Sequence, residues 1–379
     1  MKGRLWFILI LLSFLGSPIL VWAQEPPEIV IPAAILLDGQ TGEIHYGKNE
    51  HERRSIASTV KIMTILLVAE EIQARKMKLS DVVTASANAA SREGTQIRLR
   101  AGDKFTVEEL LYATALVSAN DAAVALAEHL AGSEREFARL MTERARSLGL
   151  KNTAFVDATG LLPASSGNYS TAYDLAQLMR YAMGNPIFAR IVGTKEYDLK
   201  AQGRTIRNSN DLLFTFPGAD GGKTGVTTPA GHTLVASASQ GGWRLIVVVL
   251  GPKSREQRFE QAQALFEWGF AHLETILRQG EEVTQIPVRE GARSQVTLVP
   301  RTDVKTILVG ERRPNLSRRL DVPKAVDAPI RQGDALGELI ILKDDVEVGR
   351  VDLVAKGNVG RANIFSYLLQ WLLDLLGIG

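Results

Sequence analysis

The stretch IASTVKIMTILLVAEEI, residues 56–72, carries a serine and a lysine three places apart at the head of an apolar run. Ile56, Val60, Met63, Leu67 and Ile72 recur at helical intervals, so the spacing predicts a helix over 56–74. On such a helix Ser58 and Lys61 share a face, close enough for the amine to hydrogen-bond the hydroxyl. The plain alternative is a polar start to a buried helix. Ser-x-x-Lys is a pattern that chance supplies readily, although it occurs once in this chain. The surrounding sequence has to decide.

Just upstream, AAILLDGQTGEIHYGKN (33–49) reads as a hairpin whose turn runs from Asp38 to Gly42. Downstream, helical patterns cover 106–118, 120–132, 134–149, 171–183 and 255–276. GHTLVASASQGGWRLIVVVLG (231–251) is two strands joined at Gln240-Gly241-Gly242. The fold class is therefore α+β, an antiparallel sheet flanked by helices. After residue 277 the pattern changes to short alternating strands such as VTQIPV, VKTILV and VEVGRVDLVAK, which predicts a small all-β domain.

The ends differ from the rest. Lys2 and Arg4 precede an apolar run that closes at Ala23, the layout of a secretory signal; an uncleaved anchor is the alternative. Either way the bulk of the chain is expected outside the cytoplasm. At the other end, Asn363, Ser366, Gln370, Asp374 and Gly377 form a narrow polar stripe on an otherwise apolar helix. That segment is too short to span a bilayer comfortably and suits the membrane surface, with Tyr367 and Trp371 near the interface. A helix docked on the β domain, or one that self-associates, is the alternative. The expected divisions are 1–23 (signal), 24–276 (catalytic domain), 277–357 (small β domain) and 358–379 (amphipathic helix).

Composition narrows the chemistry. The 379 residues are 45% hydrophobic and 23% charged with a formal charge of +2, so nucleic acid is not an expected partner. With no cysteine there is no disulfide, lipoprotein anchor or cysteine nucleophile. Five scattered histidines offer no His-x-x-x-His pair, which argues against a zinc hydrolase. Neither a phosphate-binding Gly-x-x-x-x-Gly-Lys-Ser/Thr loop nor a Gly-x-Ser-x-Gly elbow is present. A serine enzyme here needs a base other than histidine.

Lysine can serve if burial or a neighbouring cation lowers its pKa. Lys223, in DGGKTGVTTPAGHTLVASA (220–238), is the candidate cation, and with Thr224 it suits a carboxylate. Gly225 would let a ligand approach the strand closely. A third element is Ser-x-Asn, offered at Ser86-Ala87-Asn88, Ser118-Ala119-Asn120 and Ser166-Gly167-Asn168. The first and third sit in loops, where such residues serve turns. The middle one interrupts two apolar helices, so Ser118 and Asn120 are selected.

Ser-x-x-Lys, Ser-x-Asn and Lys-Thr-Gly in this order resemble the low-molecular-mass penicillin-binding proteins, the serine D-alanyl-D-alanine carboxypeptidases. SIASTVKIMT, SANDAAVALAEH, NTAFVDATGL, NYSTAYDLAQL and NSNDLL are similar to family segments, and the likeness covers the mature chain. The resemblance implies a transpeptidase/β-lactamase-like catalytic domain and no cofactor or metal. It implies Ser58 as nucleophile toward the carbonyl between two terminal D-alanines of a peptidoglycan pentapeptide, with Lys61 as general base. Ser118 would relay the proton, Asn120 would bind a substrate amide, and Lys223 and Thr224 would hold the terminal carboxylate. The N–H groups of Ser58 and Val226 would form the oxyanion hole, and Arg255 would assist with the carboxylate.

β-Lactams would be covalent inhibitors, and residues 358–379 would hold the protein at the outer face of the cytoplasmic membrane. Ser209 stands where some relatives carry arginine, and Val226 where some carry histidine. A D,D-endopeptidase would use the same residues. A class A β-lactamase would need a Glu-x-x-Leu-Asn segment, which is missing. An inactive wall-binding protein would show degraded motifs.

Overall fold

The computed structural model describes residues 25–307, 316–343 and 345–362. The signal expected at 1–23 and the amphipathic helix expected over the tail, apart from residues 358–362, lie outside the described residues. Among the described residues no helix is long and apolar enough to cross a membrane.

A five-stranded antiparallel sheet organises the catalytic half. Its order is Ile44–Lys48, Ala33–Asp38, Trp243–Leu250, Gly231–Gln240, Ala219–Thr227. Successive side chains of a strand point to opposite faces, and here both faces are covered. Ala33, Ile35, Leu37, Ile246, Val248 and Leu250 join a large helical core, whereas Ala34, Leu36, Leu245, Val247 and Val249 join a second core on the other face. Two covered faces explain why AAILLD and LIVVVL read as unbroken apolar runs rather than as alternation.

The helices start where side chains can cap them. Thr106 and Glu109 form a reciprocal capping box for Val107–Leu116, and Ser133, Thr171 and Ser254 cap Glu134–Ser147, Ala172–Ala182 and Arg255–Ala271. Gly132, in the left-handed region at φ 77°, ends Asn120–Ala131.

One helix is shorter than its pattern. The segment expected to be helical over 255–276 stops at Ala271, and Leu273–Leu277 is a strand paired with Val304–Ile307. Pairing and the burial of Leu277 in the second domain's core outweigh helix propensity there.

That second domain is all-β, as expected. Its six-stranded sheet runs Leu316–Asp321, Ala335–Lys343, Val346–Ala355, Gln295–Pro300, Thr284–Arg289, Val326–Asp327. Residues 358–362 belong to it structurally: Val359 bridges Ile330 and Arg361 bridges Gly291. The two halves meet at buried Glu43, which accepts from Thr306 Oγ1 at 2.6 Å and Lys343 Nζ at 3.3 Å.

Candidate active site

The head of the 56–72 stretch is not α-helical. Ala57–Val60 form a 3-10 turn, and the α-helix Lys61–Gln73 follows it. Ala57 lies in the left-handed region at φ 47°, an unfavourable conformation for a residue with a Cβ. Two glycines explain how this turn fits. A Cβ on Gly160 (φ +81°) would stand 2.0 Å from the Ala57 carbonyl oxygen, and one on Gly225 would stand 2.8 Å from the Ser58 nitrogen. The Ala57–Ser58 backbone is thus sandwiched between the loop at 160 and the Lys-Thr-Gly strand, a fit open only to glycine on either side.

Lys61 has no exposed surface. Its Nζ lies 3.1 Å from Ser58 Oγ and donates to Asn120 Oδ1 and the Thr159 carbonyl, both at 2.7 Å. Burial drives its pKa down to about 7, against the upward pull of Asp157 and Asp121. An amine with that pKa is neutral in a large fraction of molecules near neutral pH and accepts a proton readily.

Asn120 opens the helix Asn120–Ala131, and its backbone N–H donates to Thr95 O while Nδ2 donates to Glu93 O, both at 2.7 Å. The amide is therefore held from both ends, with Oδ1 toward Lys61. Asp121 secures the same loop by accepting from Ile97 N at 3.1 Å and Leu99 N at 2.9 Å. Ser118 occupies the helix junction at φ 62°, and its buried Oγ has no hydrogen-bond partner among the described residues. A strained backbone presenting an unpaired buried hydroxyl is a marker of function.

The other two Ser-x-Asn segments lie elsewhere. Ser86 and Asn88 both donate to Glu128, at 2.5 and 2.7 Å. Asn168 donates to Asp157 Oδ2 at 2.6 Å and accepts from Val156 N at 2.8 Å.

Lys223, on the edge strand Ala219–Thr227, is 1% exposed and donates to the Thr224 carbonyl at 2.8 Å. Burial first, then the charges of Lys61 and Arg258, push its pKa well below the usual lysine range. Thr224 Oγ1 is 2.7 Å from Ser209 Oγ, so the serine of the NSN segment reaches the site as a hydroxyl. Val226 next to it is 58% exposed. Arg255, by contrast, is half-exposed and paired with Asp211 at 2.5 Å.

Some contributors carry no motif. Asp157 Oδ1 accepts from Thr159 N at 2.6 Å, Thr159 Oγ1 at 2.9 Å and Gly160 N at 2.5 Å. This carboxylate shapes the loop that offers Thr159 O to Lys61 and Gly160 to the nucleophile turn. Arg258 lies beneath the Lys-Thr-Gly strand. The signal that could have found it is a charge on an inward apolar stripe, since Ala262, Leu265, Phe266 and Gly269 follow it at helical intervals. Among the described residues no group of acidic or histidine side chains could hold a metal ion.

A nucleophilic hydroxyl, a buried amine beside it and a second buried amine on an edge strand are suited to acyl transfer from a substrate with a terminal anion. A family model described as D-alanyl-D-alanine carboxypeptidase matches residues 21–254, and one described as the C-terminal domain of penicillin-binding protein 5 matches 272–361. The chain is 34% identical over 348 residues to D-alanyl-D-alanine carboxypeptidase DacF of Bacillus subtilis, covering 90% of this chain and 89% of that one. It is 33% identical to DacD of Escherichia coli, covering 96% of each. Among solved structures, a peptidoglycan synthesis regulatory factor of Streptococcus pneumoniae superposes with a TM-score of 0.78 at 29% identity, over 88% of this chain and all of that one (100%). Penicillin binding protein 5 of Haemophilus influenzae gives 0.70 at 30% identity, over 89% and 99%.

Proposed function

We propose that this chain, which belongs to the D-alanyl-D-alanine carboxypeptidase family, performs that hydrolysis through Ser58 on the terminal D-Ala-D-Ala of peptidoglycan stems. The observation that carries the assignment is Lys61: a buried amine with a pKa near 7, 3.1 Å from Ser58 Oγ.

Neutral Lys61 takes the proton of Ser58 as its oxygen attacks the carbonyl between the two D-alanines. Negative charge develops on that carbonyl oxygen, where the N–H groups of Ser58 and Val226 receive it. As the tetrahedral intermediate collapses, the C–N bond breaks, and Ser118 passes a proton from the Lys61 ammonium to the departing amine of D-alanine. Asn120 holds a substrate amide and keeps Lys61 aimed at Ser58. Water, with Lys61 again as base, then attacks the ester on Ser58 and releases the shortened peptide.

Lys223 and Thr224 receive the terminal carboxylate, with Arg255 at the rim. An approaching carboxylate reverses the repulsive surroundings of Lys223, so binding draws a proton onto that amine. β-Lactams acylate the same Ser58 and leave slowly. The enzyme works on the outer face of the cytoplasmic membrane, a reading supported by the leader pattern of 1–23, the amphipathic pattern of 358–379 and the location of its substrate.

The test supplies a peptide ending Lys-D-Ala-D-Ala and measures free D-alanine. Release that disappears in Ser58→Ala is the expected result; no release from folded wild type would refute the assignment.

A further inference from the structure

The helix Arg255–Ala271 turns its apolar stripe toward the central sheet, and the first position of that stripe is occupied by a charge. Arg258 is only 5% exposed. Among the acids whose charge reaches it, Asp211 acts most strongly, yet Asp211 is already paired with Arg255. Among the described residues the buried Arg258 Nε has no acceptor, and the guanidinium lies 4.6 Å from the Phe259 ring centroid. Burial, then the like charge of Arg255, brings its pKa down to about 10. Among the described residues no carboxylate forms an ion pair with this buried guanidinium, which is unfavourable for the fold, and a hydrophobic residue would serve packing better. Something other than stability accounts for a charge here.

Its contacts indicate what. Arg258 Nη1 donates to the carbonyls of Gly225 at 3.3 Å and Thr233 at 3.4 Å, which are register partners on adjacent strands. In a trans peptide the C=O of one residue and the N–H of the next point in opposite directions. Gripping the Gly225 oxygen from behind the sheet therefore aims the Val226 N–H away from Arg258. Gly225 is also the residue seated against the Ser58 nitrogen. Separately, the charge of Arg258 is among the causes that depress the Lys223 amine.

We propose that Arg258 is a positioning residue. It aims the Val226 N–H at the developing oxyanion through the Gly225 carbonyl, and from that seat its charge lies beneath the strand that carries Lys223. This deepens the carboxypeptidase reading and rests on it.

Three full-length variants test the idea: R258M removes grip and charge, R258K keeps the charge, and R258Q is neutral but polar. Active sites are first titrated with a labelled penicillin, so that misfolded protein does not enter the rates. In R258M, kcat per titrated site is expected to fall on the order of tenfold, short of the ~100-fold or more that removing an oxyanion donor outright costs. The alkaline limb of kcat/KM should move to higher pH, because Lys223 is relieved of a like charge and keeps its proton longer. R258K should lose kcat while its alkaline limb stays near that of wild type.

A kcat per site within about twofold of wild type in R258M, or an unmoved limb, overturns the proposal; a purely packing role would give that unmoved limb. R258Q takes the place of R258M if the latter does not fold. Wild type that binds penicillin but releases no D-alanine refutes the carboxypeptidase reading instead, so the two failures are distinguishable.

Discussion

Lys61 and Lys223 sit in one site, equally hidden from water, in opposite surroundings. Lys61 at the head of its helix donates to two acceptors besides its contact with Ser58, and Asp157 and Asp121 draw its pKa upward. Lys223 on the edge strand has one backbone acceptor and faces two cations. Burial lowers both amines, but the neighbours decide where each stops. With carboxylates in reach, Lys61 stops near neutrality, as a base must. With cations in reach, Lys223 is pushed well below the usual lysine range and is satisfied only when an anion arrives.

The largest test removes each amine in turn. Lys61→Met is expected to lower kcat by about 10³–10⁴-fold. It should also destabilise the fold by about 2 kcal/mol, since Asn120 Oδ1 and Thr159 O lose their donor. Lys223→Met should lower kcat/KM by roughly 10²-fold through lost carboxylate binding. Its melting temperature, however, should rise, because a buried amine with a single backbone acceptor and like charges near it gives way to an apolar chain of similar length. Thermal melts that fall alike in both variants would break the contrast.

Next in size is Gly160→Ala. The new Cβ would meet the Ala57 carbonyl at 2.0 Å, and φ +81° already disfavours alanine. The turn carrying Ser58 has to move, and a displacement of about 1 Å is worth roughly 10²-fold in rate. Gly357→Ala, where a Cβ meets nothing within 4 Å, is the control and should acylate with penicillin as wild type does.

These two tests differ in how far the sequence foretold them. The three motifs were legible because each is local: two residues three places apart, two at a helix junction, three on a strand. The α+β class was legible too, through the hairpin at 33–49 and the paired strands of 231–251. The Asp157 loop was not, since Thr159 reaches Lys61 across 98 residues of chain and nothing near FVDATGL indicates a lysine partner. The helical pattern over 255–276 overruns the helix for the same kind of reason. Leu273–Leu277 is a strand only because Val304–Ile307 is there to pair with it. Arg258 carries no motif, and its role depends on the Gly225 and Thr233 carbonyls of strands distant in sequence.

Asp157 gives a smaller effect with a definite sign. Lys61 must be neutral to act, so activity should rise with pH through about 7. The Asp157 charge holds the Lys61 pKa up, so Asp157→Asn lets the amine shed its proton sooner, and the acid limb of kcat/KM moves to lower pH. The same change turns an amide donor toward Leu162 N or Asn168 Nδ2, or toward the donors of Thr159 and Gly160. A stability loss of about 2 kcal/mol follows. A limb that moves upward would show that Lys61 is not governed by this carboxylate.

The smallest effect is expected at Arg255. It lies at the rim, half-exposed, and its partner Asp211 also has Arg207 at 3.9 Å. Exposed ion pairs contribute little, so Arg255→Ala should change kcat/KM by only about threefold. Arg255 is turned outward to Asp211, whereas Arg258 reaches beneath the strand that carries Lys223. The alkaline limb should therefore stay in place in Arg255→Ala and move in Arg258→Met, although the two arginines are three residues apart on one helix. If the limb moved with Arg255 instead, the field at Lys223 would be set from the rim of the site rather than from beneath the strand.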